Sequence, residues 1–113
     1  MQGILLQKLP EVRGIMRQHK IKRAYAFGSV CTDSFSDESD IDFIVRLEEG
    51  LDPVEYTRHY FDAINELESL LKRSVDFVAE ETMKNPYFIK VVDKTKTLIY
   101  EWWGEEEFAG HSW

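Results

Sequence analysis

Cysteine is nearly missing from this 113-residue chain: Cys31 is the single one, so no disulfide can form within it. No apolar run approaches the roughly 18 to 20 residues that a membrane-spanning helix needs. The opening residues, Met1-Gln2-Gly3-Ile4-Leu5-Leu6, carry neither a charged leader nor a cleavage signature. No signal peptide is therefore expected, and the chain reads as cytoplasmic with no membrane partner. Positive charge is also short, with 14 Lys and Arg against 21 Asp and Glu and a formal net charge of −7. Extended nucleic-acid surfaces need a basic balance, so direct nucleic-acid binding is not expected. No internal repeat or linker composition appears, and the length suits a single domain over 1–113.

What the chain does contain is 43% hydrophobic and 13% aromatic residues, enough to fill a modest core. Its basic residues are gathered early: Lys8, Arg13, Arg17, Lys20, Lys22 and Arg23 stand against Glu11 alone before residue 27. They read first as the solvated face of a helix, with contact to phosphate or an acidic partner as the alternative. Apolar residues at Ile4, Leu5, Leu9, Val12, Ile15 and Met16 have helical spacing over Ile4 to His19. Pro10 lies inside that span, where it suits a first helical turn.

Lys20 to Phe27 reads as a strand, broken by Gly28-Ser29. A short helical turn and then a polar loop are expected up to Ser39. Asp40 to Leu47 is the second strand. Asp52 reads as an N-cap with Pro53 in the first turn of a helix over Val54 to Lys72, whose inward stripe is predicted as Tyr60, Phe61, Ile64, Leu67, Leu70 and Leu71. Ser74 to Ala79 is the third strand, and a right-handed crossover would lay it parallel to the second. Pro86 opens a helix over Tyr87 to Asp93, and Thr97 to Tyr100 is a short last strand.

The chemistry concentrates in one stretch: Gly28-Ser29, ten residues, then Asp40-Ile41-Asp42. Carboxylates two apart on a strand share a face, while Ile41, Phe43 and Val45 turn to the core. Two such groups repel each other, and a hard divalent cation between them explains the pattern best. Asp76 alternates with Val75 and Phe77 and can join the same face. Cys31 has no base beside it and reads as a small packed residue rather than a nucleophile. His19, His59 and His111 are too scattered to suggest a zinc site. Asp33, Asp37 and Glu38 read as a solvated loop. Trp102, Trp103, Phe108 and Trp113 make the acidic tail aromatic; they either pack on the domain or form an interface with a partner or a second copy.

Phe27-Gly28-Ser29, Ser39-Asp40-Ile41-Asp42-Phe43 and Val75-Asp76-Phe77-Val78 together resemble the DNA polymerase β-like nucleotidyltransferase superfamily. The size resembles its smallest branch, the minimal nucleotidyltransferase (MNT) antitoxins, over about residues 21 to 100. The resemblance implies an α/β (α+β) fold, a small mixed sheet flanked by helices like the polymerase β palm. It implies Asp40, Asp42 and Asp76 as ligands of Mg2+ (Mn2+ as the alternative), with Asp76 helping to activate the attacking hydroxyl. It assigns Ser29 and the Gly28 backbone to the phosphates of ATP or another NTP. It also implies transfer of AMP to a hydroxyl of a HEPN-type toxin, and neutralisation of that toxin. Relatives often follow Gly-Ser with a small residue, Arg and Gly; here Cys31, Thr32 and Asp33 stand there. A phosphate-gripping planar cation is thus missing from that place, and either another basic residue substitutes or catalysis is lost. The alternatives are accordingly a binding module that acts by contact alone, and a small-molecule transferase of the aminoglycoside type.

Overall fold

The computed structural model describes residues 3–31 and 39–102. Four strands form one mixed sheet in the order β3-β2-β1-β4. β1 (Ile21–Phe27) lies between β2 (Ile41–Leu47) and β4 (Thr97–Glu101), antiparallel to both, and β3 (Val75–Ala79) runs parallel to β2 at the edge. The parallel pair is joined by the long helix α3 (Pro53–Leu71), as a crossover connection requires.

Alternation along the strands separates two faces. Ile41, Phe43, Val45 and Leu47 of β2, with Ala24 and Ala26 of β1, turn to one side and are buried. Helices α2 (Leu9–Gln18) and α3 cover that side, contributing Val12, Met16, Ala63, Leu67 and Leu71 to the same core. The expected single N-terminal helix is two: α1 (Gly3–Gln7) ends before Lys8, and α2 restarts with Pro10 in its first turn. Proline has no N–H to give and its ring crowds the preceding turn, so the break falls just ahead of it.

α3 begins as its sequence predicts. The Asp52 carboxylate accepts the Glu55 N–H at 2.9 Å, and Pro53 fills the first position. Its inward stripe needs one correction. Phe61 is 55% exposed, while Ala63 is fully buried and Tyr56 packs at the core margin. The small Ala63 belongs to the buried core, a position that counting large apolar residues overlooks. Two outward-pointing backbone groups of edge strand β3 are taken by this helix: Val75 N–H donates to Glu68 Oε2 at 3.0 Å, and Phe77 O accepts from the Tyr60 hydroxyl at 3.0 Å.

The second face carries Arg23, Tyr25 and Phe27 on β1, Asp42, Ile44 and Arg46 on β2, and Asp76 and Val78 on β3. Its middle is covered by α4 (Pro86–Asp93), whose Phe88 meets Phe27 edge-on and whose Val92 is buried. Asn85 caps α4, accepting the N–H groups of Tyr87 and Phe88. At the far end, Glu80 Oε1 accepts from both Arg23 (2.6 Å) and Arg46 (2.7 Å). Early basic residues also have structural work: Arg13 Nε donates to Ile99 O at 2.7 Å, and the Arg17 guanidinium stacks 4.2 Å over the Trp102 ring. Trp102 therefore packs on the domain. Trp103, Phe108, His111 and Trp113 lie outside the described residues, as do Thr32, Asp33, Asp37 and Glu38.

Candidate active site

Asp42 is the second residue of β2. Its register partner across the parallel ladder is Asp76, and across the antiparallel ladder Phe27. Partners in register share a face, so the two carboxylates project side by side from backbones about 4.8 Å apart. Asp40 stands exposed one residue ahead of the strand. The electrostatic consequence appears on Asp42, whose carboxyl is pushed above its ordinary value by burial first, then by the charges of Asp76 and Asp40. Like charges held together in a partly dry place are a common mark of a functional site.

Gly28 closes the other side. Its φ is +77°, and a Cβ there would stand 3.0 Å from Asp42 Oδ2. Both the backbone angle and the contact require glycine. The 3₁₀ turn Gly28–Cys31 is pinned by buried Val30, which leaves Ser29 half-buried at the turn's start. The Gly28 N–H, which the resemblance gives to phosphate, here donates to Thr95 Oγ1 at 3.1 Å. Cys31 Sγ lies 3.8 Å from Thr97 Oγ1 and has no base against it among the described residues. The segment from α4 to β4 is thereby seated on the glycine turn.

Beside this centre, a cleft of about 190 Å3 is lined by Tyr25, Ile44, Glu80, Met83, Ile89, Asp93 and Lys96. Ile44 and Tyr25 lie two residues along the strands from Asp42 and Phe27, on the same face. Neither Thr95 nor Lys96 carried any local signal in the sequence; Thr95 meets Gly28 across 67 residues. Two of the histidines, distant in sequence, meet in the fold. His19, 7% exposed, places Nδ1 at 3.2 Å from His59 Nδ1 and its other ring nitrogen against Glu66, at the end of the sheet away from Asp42. Among the described residues no three His, Cys, Asp or Glu side chains form a group that could hold a metal ion, here or at the carboxylates. The three aspartates share one field without closing into a finished cage.

A family model described as "Polymerase beta, Nucleotidyltransferase" matches residues 11–102. The chain is 31% identical over 103 residues to "Putative protein adenylyltransferase MJ1379" of Methanocaldococcus jannaschii, covering 84% of this chain and 99% of that one. A solved "putative minimal nucleotidyltransferase" superposes with a TM-score of 0.63 at 28% identity, over 82% of this chain and 90% of the other. An MNT antitoxin bound to a tri-AMPylated HEPN toxin from Shewanella oneidensis shares the fold, with a TM-score of 0.57 at 20% identity over 93% and 76%. Mixed sheet, glycine turn and matched segment all coincide. The chain thus belongs to the polymerase β nucleotidyltransferase family.

Proposed function

We propose that the protein transfers the AMP moiety of ATP to a hydroxyl on a protein acceptor, and that this acceptor is a HEPN-type toxin which it thereby neutralises. The observation that carries the reading is the in-register pair Asp42–Asp76 against a positive-φ Gly28 whose missing Cβ makes room for Asp42. The chemistry of the donors, though not yet a closed group, is that of a hard divalent cation: carboxylate oxygens only, with Asp42 disfavoured as a charge by burial and by its neighbours Asp76 and Asp40. Asp40, Asp42 and Asp76 would hold Mg2+, which when bound supplies Lewis-acid stabilisation to the phosphate oxygens.

The chain's own residues do the rest. The Ser29 hydroxyl and the turn that follows it orient the triphosphate, and Gly28 keeps the approach clear. Asp76 takes the proton of the acceptor hydroxyl. That oxygen bonds to the α-phosphorus as the bond from the α-phosphorus to the bridging oxygen breaks, and pyrophosphate leaves with its electron pair. The adenylyltransferase name of the archaeal relative and the AMPylated toxin beside the MNT neighbour support this donor and acceptor.

The test is incubation of the full chain with α-labelled ATP, Mg2+ and the product of its adjacent gene. Label should appear on that product and vanish in Asp40→Asn plus Asp42→Asn. A product that takes no label, yet is fully inhibited by the double variant, would instead mean neutralisation by contact.

A further inference from the structure

No arginine stands after Gly28-Ser29 where relatives often carry one. We propose that Lys96 binds the polyphosphate of the nucleotide, taking the part that the absent arginine leaves open. This inference rests on the nucleotidyltransferase reading and names a residue that the reading does not assign.

The placement comes from Thr95. Its hydroxyl accepts the Gly28 N–H, which fixes the backbone of the next residue beside the glycine turn. Lys96 then turns onto the same sheet face as Asp42. Its Nζ lies 5.1 Å from the Tyr25 ring centroid, and the side chain lines the cleft beside the carboxylates. The two arginines that β1 and β2 place on that face are committed. Arg23 and Arg46 both donate to Glu80, four residues along the strands from Phe27 and Asp42. Arg23 also lies 3.6 Å from Glu101, so the two guanidiniums balance Glu80 and Glu101, and Glu80 adds no net negative charge to the cleft.

Lys96 is held more loosely. Its partner is Asp93 Oδ1 at 3.0 Å, and both side chains are exposed, at 40% and 52%. An exposed lysine–aspartate pair three residues apart contributes little, because solvent screens it. A triphosphate, with three or more negative charges, outcompetes a single carboxylate for that ammonium. The ammonium lies over the Tyr25 ring at the end of a long flexible stem, so rotation about that stem exchanges Asp93 for phosphate without moving the backbone.

The test is calorimetric titration with Mg2+-tripolyphosphate, a Mg2+-bound non-hydrolysable ATP analogue and AMP. Lys96→Met keeps an unbranched side chain of similar length without the charge and should weaken tripolyphosphate and the ATP analogue about tenfold each, leaving AMP nearly unchanged. Lys96→Arg should restore most of the affinity. Asp93→Asn releases the ammonium and should tighten both polyphosphates severalfold. Unchanged affinity in Lys96→Met, or a loss for AMP as large as for tripolyphosphate, overturns the assignment. A wild-type chain that binds none of the three with Mg2+ present overturns the transferase reading itself, a result distinct from either.

Discussion

Replacing Asp42 by asparagine should stabilise the metal-free protein while ending its activity. Two carboxylates about 5 Å apart repel by about 3 kcal/mol at an effective dielectric of 20, and by about 0.8 kcal/mol in water. Asp42 is only partly buried and Asp76 is exposed, so solvent screening places the net cost toward the lower figure, about 1 to 1.5 kcal/mol. For a domain of this size that corresponds to a rise in Tm of about 4 to 6 °C for Asp42→Asn in EDTA at pH 7. The pH dependence has a definite sign. The folded-state carboxyl is raised above 3.8, so its contribution to stability is fully present below that pH and is lost as pH climbs through the raised value. The advantage of the variant should therefore be small near pH 4 and reach its plateau at neutral pH. Mg2+ at ten times its dissociation constant adds about 1.4 kcal/mol to the wild type and should close the gap. Thermal melts at several pH values, with EDTA and with Mg2+, read all three effects. A variant that melts lower than the wild type in EDTA at pH 7, or gains equally at pH 4 and pH 8, would refute the electrostatic account.

Gly28→Ala forces a side chain into positive φ and within 3.0 Å of Asp42 Oδ2; it should cost about 1 to 2 kcal/mol by urea denaturation and abolish transfer. Glu80→Gln should behave opposite to Asp42→Asn. Burial pushes the Glu80 carboxyl up, but hydrogen bonds from Arg23 and Arg46 outweigh it and hold the group below 4.5. Its stabilisation is present above that value and fades as pH falls through the lowered one. The variant should lose about 1 to 3 kcal/mol at pH 7 and progressively less in acid, again by urea denaturation.

The parts of the candidate site that lie close in the chain are legible in the sequence. A glycine ending one strand and two alternating aspartates opening the next define a local geometry, and period two assigns their face. Asp76 was legible one step further, because a strand–helix–strand unit has one favoured hand and so predicts a parallel neighbour. Thr95 and Lys96 were not legible. Their place depends on how α4 docks over the second face through Phe88 and Val92, a packing outcome with no signature inside Lys94-Thr95-Lys96-Thr97. The pairing of His19 with His59 and Glu66 was hidden for the same reason, since helix α3 brings those residues to the end of α2. Phe61 and Ala63 show a subtler limit: helical period locates a stripe, but the distance from helix to sheet decides whether its centre takes a ring or a methyl group.

The rim of the sheet has a consequence for solubility. β3 is an outermost strand, and an outermost strand ordinarily offers its spare N–H and C=O groups as a template on which another chain can add. Here Glu68 and Tyr60, reaching over from the crossover helix, occupy the spare groups of Val75 and Phe77 on either side of Asp76. The border that carries Asp76 is therefore partly closed along its backbone, at Val75 N–H and Phe77 C=O, while the Asp76 side chain stays exposed. Removing both seals, as Tyr60→Phe with Glu68→Ala, would leave the chemistry in place and hand the border to strand addition.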